Sequence, residues 1–279
     1  MNKIVYISDY FLNEITGGGE LNDNELINIF LLKNIEILKL KSNTITLSLL
    51  KQIGNIPIII SNFVHLNNEC ITYLQENCRY VIYEHDHKYI INRNPAIYDN
   101  YIAPKEHIVN YNFYKNSKYI FCQSFLHKTI IYNNLKLDNI VNLSGNLWST
   151  KTLEFIKNIL SNEKKDTYAI LDSEIIHKNK YDSIMYCKYK NYNYSLIKDN
   201  DYSSFLQKLS SNKGLVFFPK TPETLSRLCV EAKMLNLEII TNKNVGATYE
   251  QWFSLKGKEL IDYCLEMRYN ISNKVLENL

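Results

Sequence analysis

Short β-rich apolar runs alternate with stretches of helical periodicity along almost the whole chain, and that alternation leaves few folds open. Lys3-Ile4-Val5-Tyr6-Ile7-Ser8 reads as a strand, closed by Asp9 and followed by the glycines Gly17, Gly18 and Gly19. From Glu20 the apolar residues Leu21, Leu26, Ile27, Phe30 and Leu31 recur at roughly helical spacing, with acids at 20, 23 and 25 suited to a helix N-terminus. The same reading predicts strands over 56–60, 80–83 and 118–122 and helices over 66–77 and 124–134. After the turn-rich Asn142-Leu143-Ser144-Gly145-Asn146 the pattern restarts with a helix from about Thr150. Strands are predicted over 168–171, 194–197, 215–218 and 238–241, and helices over 179–189, 201–210 and 223–236. A last amphipathic stretch, 255–276, has no strand after it.

Strands separated by helices predict parallel sheets with crossover helices on their faces. The expected fold class is therefore α/β, with two Rossmann-like, doubly wound parallel-sheet domains. Residues 1–147 form the first, residues 148–250 the second, and residues 251–279 a C-terminal helix packing back across both. The 279 residues suit two compact domains. No apolar run approaches the ~18 residues of a membrane span, and the opening segment lacks the length and small-residue site of a signal peptide, so the expected location is the cytoplasm. The six cysteines show neither a CxxC pair nor zinc-finger spacing and read as reduced core thiols. Residues 1–147 hold 13 basic and 13 acidic side chains, a balance that argues against strong nonspecific nucleic-acid binding.

In doubly wound sheets ligands bind beyond the carboxyl ends of the strands, which directs attention to four loops. Gly17-Gly18-Gly19-Glu20 offers backbone N–H groups at a helix start, a place for a phosphate or a close-packed sugar, or else is a plain flexible turn. Glu84-His85-Asp86-His87 places four ionisable groups after a buried-looking strand. Three readings stay open there: a general acid/base or positioning histidine, a divalent-metal site, or a solvated loop. An extended segment would put His85 and His87 on one face and Glu84 and Asp86 on the other. Lys178, after the first strand of the second half, is either a diphosphate partner or an ordinary surface lysine. The fourth loop, Phe218-Pro219-Lys220-Thr221-Pro222, leads into a predicted helix with Glu223 at its start and Glu231 eight positions on, ~12 Å apart along one face. Carboxylates at that spacing can accept hydrogen bonds from sugar and ribose hydroxyls.

The Glu223–Glu231 spacing, together with Val245-Gly246-Ala247 after the next strand and the opening strand with its glycine loop, resembles the Glu-x7-Glu signature and framework of GT-B glycosyltransferases. The likeness is to the retaining family 4, in a short phage-type form. It covers most of the chain and is strongest over 214–250. The resemblance implies that Glu223 contacts the donor sugar, Glu231 the ribose, Lys178 the diphosphate, and that His85 lies near the reacting sugar. Gly18, Gly19 and Glu20 would approach the donor phosphates from the first domain. The usual Arg…Lys diphosphate pair is not cleanly present, and Arg227 stands as a possible substitute.

The expected function is transfer of a sugar from a nucleotide-sugar donor to an acceptor hydroxyl, retaining and without a metal or other cofactor. The acceptor is a glycan or a modified DNA base. The stretch 87–119 interleaves lysines and an arginine with tyrosines and Phe113, and is either an acceptor surface that stacks on sugars or bases, or core. Two other functions would keep the same donor site: a GT-B-shaped epimerase or phosphorylase, and a non-catalytic nucleotide-sugar binder.

Overall fold

The computed structural model describes residues 2–279, which divide into two units, one of residues up to 147 with 268–279 and one of residues 148–267. In the first unit the strands are β1 (Lys3–Ser8), β2 (Glu36–Lys41), β3 (Ile58–Ile60), β4 (Tyr80–Tyr83), β5 (Ile120–Cys122) and β6 (Ile140–Asn142). They form one sheet in the order β2-β1-β3-β4-β5-β6, and every pair is parallel. Its helices are α1 (Gly18–Leu32), α2 (Leu47–Ile53), α3 (Asn68–Asn77), α4 (Tyr111–Asn116) and α5 (Phe125–Leu135).

The second unit carries α6 (Thr150–Ile159), β7 (Lys165–Leu171), α7 (Lys180–Tyr189), β8 (Tyr194–Ile197), α8 (Tyr202–Ser210), β9 (Asn212–Phe217), α9 (Arg227–Met234) and β10 (Glu238–Thr241). Its sheet runs β10-β9-β7-β8 and is also parallel. The last helix, α10 (Gly257–Glu277), gives Leu260, Ile261 and Cys264 to the core of this unit. Residues 268–279 belong to the first unit, where Arg268 pairs with Glu25 at 2.7 Å and Lys274 donates to the Asn142 carbonyl at 2.9 Å.

Why these segments are strands follows from their burial. Ile58, Ile59 and Ile60 are fully buried, as β-branched side chains are when both sheet faces are covered by helices. Each contributes roughly 1.5–3 kcal/mol of hydrophobic stabilisation. Several helices start where side chains cap them: Asn67 Oδ1 accepts from Cys70 N, Ser124 Oγ from His127 N, and Ser149 Oγ from Thr152 N.

Five strands and helices depart from the sequence reading, among them α2 and α4, which no predicted helix covers. β2 and β6 are strands that apolar runs do not announce: β2 is an edge strand alternating Lys39 and Lys41 with Leu38 and Leu40, and β6 is three residues long. The predicted helix over 223–236 is only Arg227–Met234, so Glu223 and Glu231 do not share a helix. Residues 223–225 stay outside the helix because their backbone groups pair with another loop: Glu223 N donates to Asn244 O at 2.8 Å, Gly246 N to Glu223 O at 2.9 Å, and Ala247 N to Leu225 O at 2.9 Å. Ser226 then turns into α9 with φ of 76°, in the left-handed region that L-residues rarely adopt.

The six cysteines are free, and all but Cys78 are buried. Among the described residues no helix is long and apolar enough to cross a membrane.

Candidate active site

In each sheet the chain leaves its first strand toward one side and later crosses to the other, and in such sheets ligands bind beyond the carboxyl ends of the strands at that switch point. In the second unit the switch lies between β7 and β9. The loop after β7 ends in a single 3-10 turn, Ile176–Lys178, before Asn179 in the left-handed region starts α7. Lys178 therefore precedes the helix. The loop after β9 carries Glu223, and the two side chains meet there, Lys178 Nζ to Glu223 Oε1 at 2.7 Å, both partly exposed. Lys220 N bonds His177 O at 2.9 Å, and Asn179 Nδ2 bonds Phe218 O at 2.8 Å, so the two loops are stitched together. A cation and a carboxylate 45 positions apart in sequence thus stand side by side at the switch point.

Glu231 and Arg227 form a second cluster in this unit. Trp148 Nε1 donates to Glu231 Oε1 at 2.9 Å, the Tyr202 hydroxyl donates to the same oxygen, and Arg227 Nε lies 3.4 Å from it. The Arg227 guanidinium also lies 4.4 Å from the centroid of the Trp148 ring and donates through Nη2 to Tyr202 Oη at 3.2 Å. Both side chains are nearly buried. Burial, and then the charge of Glu231, push the Tyr202 phenol well above its ordinary value, which keeps it a donor. Glu231 is thereby held in one orientation.

The first unit centres on His85, immediately beyond β4. Its Nε2 lies 2.6 Å from Asp23 Oδ1, the side-chain amide of Gln123 bonds Nδ1, and the ring stacks on Tyr83 at 5.1 Å between centroids. Asp23 is on α1, where Ser61 Oγ also donates to it. Gly19, one turn earlier, lies against the imidazole: a Cβ at that position would come within 3.4 Å of His85 Cγ. A methyl group there would rest against the ring in ordinary van der Waals contact, and a larger side chain would crowd it. Burial disfavours a charged His85, but the charge of Asp23 and its hydrogen bond outweigh it, and the pKa is raised. Gly18 is the exposed first residue of α1, and Glu20 stands in its first turn, where burial raises its carboxyl pKa.

The rest of the 84–87 segment diverges. Glu84 is fully buried, bonded by the Lys88 ammonium and by the Tyr114 hydroxyl, and Lys88 also reaches Asp86 at 2.9 Å and Asn62 at 3.1 Å. Burial opposes the charge on Asp86, yet Lys88 holds its carboxyl well below the usual range. His87 Nδ1 pairs with Tyr89 Oη at 2.8 Å. Among the described residues no group of three or more His, Cys, Asp or Glu is arranged to hold a metal ion. The neighbouring aromatic stretch is partly core: Tyr89, Phe113 and Tyr114 are buried with Lys88, while Tyr111 is exposed.

Of the residues singled out in sequence, the structure joins Lys178 with Glu223, Arg227 with Glu231, and Gly19 with His85. It adds Asp23, Gln123, Trp148 and Tyr202. Gln123 directly follows β5, so the rule that ligand loops follow strands points to it; Asp23 lies one helical turn past Gly19 and carried no signal beyond its charge.

No protein-family model matches the chain, and no curated protein sequence matches it. Solved structures do. HepE from Anabaena, in complex with UDP and glucose, aligns with a TM-score of 0.58 at 11% identity over 98% of this chain and 93% of that one. An α-glucosyltransferase in complex with UDP and a 13-mer DNA containing a central A:G mismatch aligns with a TM-score of 0.54 at 10% identity, over 98% and 90%. An E. coli structure described as trehalose-6-phosphate bound with UDP-2-fluoro glucose aligns with a TM-score of 0.51 at 8% identity, over 100% and 96%. The fold is GT-B. At such identities the likeness extends to the fold alone, and chemistry rests on the side chains above.

Proposed function

We propose that the protein transfers a sugar from a nucleotide-sugar donor to an acceptor hydroxyl, with retention and without a metal. The observation that carries this is the Lys178–Glu223 pair at the switch point of the second sheet. A lysine there suits the diphosphate, whose leaving oxygen gains negative charge as the glycosidic bond breaks, and a fixed cation stabilises that charge. This is the task a divalent ion performs in other transferases. Glu223 accepts hydrogen bonds from the donor sugar. Glu231, held by Trp148 and Tyr202, presents a carboxylate of fixed orientation to a ribose diol.

His85 acts by position. Both of its ring nitrogens are engaged, one by Asp23 and one by Gln123, so neither is left to take the acceptor proton as a general base. That favours attack from the face the diphosphate leaves, with the departing oxygen as proton acceptor, over an inverting route that needs an enzyme base. Solved structures of the same fold hold UDP or a UDP-sugar, which makes uridine the first base to test. The equal numbers of basic and acidic residues in 1–147 favour a small or glycan acceptor over DNA.

The test is a thermal-shift panel of UDP-, GDP-, ADP- and TDP-sugars, with and without EDTA, on the wild type and on Glu231→Ala and Lys178→Gln. One donor should stabilise the wild type irrespective of EDTA, and each variant should weaken that shift. No shift with any donor removes the transferase reading, and a shift abolished by EDTA removes its metal-independent form.

A further inference from the structure

A second constellation lies at the carboxyl edge of the first sheet, away from His85. The loop after β1 and the end of β2 line a half-open pocket of about 430 Å³, whose walls include Phe11, Asn13, Glu14, Asn24, Lys39 and Lys41. Leu38 and Leu40 pack against the core, so strand alternation sends Lys39 and Lys41 together to the opposite face, toward α1. Lys41 Nζ pairs with Glu14 at 2.6 Å and lies 5.8 Å from the Tyr10 ring centroid. Lys39 Nζ lies 5.7 Å from the Phe11 ring centroid, and no carboxylate among the described residues pairs with it. The side-chain amides of Asn13 and Asn24 likewise have no hydrogen-bond partner among the described residues. One cation is neutralised and the other is not, two amides stand ready to donate, and an aromatic ring lies under the ammonium.

Edge-strand lysines also serve to keep sheets from pairing edge to edge. That role asks for no cavity, no amides and no ring beneath. The volume is that of a small-molecule site, and three strand spacings, ~14 Å, separate β2 from the strand that carries His85.

We infer that this cavity binds the phosphate of a small phosphorylated acceptor, held by Lys39, Lys41, Asn13 and Asn24 with its body against Phe11. The anion site stands on this geometry, and only its identification with the acceptor rests on the transferase reading. A nucleic-acid backbone offers the same phosphate chemistry, but a pocket with the Glu14 carboxylate on its wall suits a single terminal phosphate better than a continuous polyanion.

The experiment is a titration with inorganic phosphate at constant ionic strength, in saturating UDP, following the Asn13 and Asn24 side-chain amides by NMR. It is repeated on Lys39→Gln, on Lys41→Gln and on Lys51→Gln, an exposed lysine of α2, with melting temperature as the control for folding. Both amide pairs should move in the wild type and in Lys51→Gln, and the apparent Kd should rise about tenfold in Lys39→Gln, as loss of one charge-assisted hydrogen bond implies. Amides that stay still, shifts reproduced by chloride alone, or an unchanged Kd in Lys39→Gln overturn the site. A 13-mer DNA that moves the amides where phosphate does not overturns the small-molecule assignment. Phosphate shifts that persist in a protein that binds no nucleotide support the anion site and remove its role as acceptor site.

Discussion

Replacing Asp23 with asparagine keeps the shape of the cluster beneath Gly19 and removes its charge. In the wild type the 2.6 Å contact joins an imidazole and a carboxylate that are 7% and 3% exposed, so solvent screens the pair little. Burial alone would push the His85 pKa below its ordinary value, and Asp23 reverses the sign. A histidine whose folded pKa is raised contributes stability that is fully present below the unfolded value of ~6.5 and is lost as pH rises through the folded value. In Asp23→Asn the ring keeps its burial and loses its carboxylate, so it folds neutral and its protonation at low pH favours the unfolded chain. Loss of a charge-assisted hydrogen bond costs roughly 1.5–3 kcal/mol. With the reversed linkage, the expected destabilisation is about 2–4 kcal/mol at pH 5.5 and smaller at pH 9, where the ring is neutral and its N–H can still donate to the amide oxygen that replaces the carboxylate. Urea unfolding at pH 5.5, 7 and 9, with the His85 ring titrated by NMR, measures both quantities. A difference constant with pH, or one growing toward pH 9, refutes the assignment of a charged His85 paired to Asp23.

Lys88→Met leaves Glu84 buried among apolar neighbours with only the Tyr114 hydroxyl and Asp86 N as donors, and should cost about 3–5 kcal/mol in denaturant unfolding, at 2% and 0% exposure for the pair. Gly19→Leu places side-chain atoms where His85 Cγ already sits 3.4 Å from a built Cβ; sugar transfer should fall at least tenfold and the His85 resonances should move, while Gly19→Ala keeps the fold and gains helix propensity. Tyr202→Phe removes one donor from Glu231 and should weaken nucleotide affinity about five- to tenfold with little loss of melting temperature, read by calorimetric titration.

The apolar strands were legible because burial on both sheet faces writes itself as continuous runs such as Ile58–Ile60, and the helices that start near 68, 125 and 150 by their apolar periodicity, with the caps Asn67, Ser124 and Ser149 seen only in the structure. β2 was hidden by the same alternation of lysine and leucine that makes it an edge strand. The helix over 223–236 failed for a different reason: the periodicity is real, but Glu223 and Leu225 have better backbone partners on 244–247, a tertiary choice no local pattern encodes. At the site, residues of loops that follow strands, His85 and Lys178, could be found by position, whereas Asp23, Trp148 and Tyr202 matter only through what the fold brings beside them.

The most direct measurement is NMR of UDP-glucose, and then of the GDP-, ADP- and TDP-sugars, incubated with the wild type and with Glu231→Ala, following free nucleoside diphosphate and the anomer of the sugar first released or transferred. One donor should yield its diphosphate with the donor's own anomer appearing first, EDTA should leave the rate unchanged, and the variant should be slower. The opposite anomer first contradicts retention; no cleavage and no binding of any donor contradicts the transferase itself.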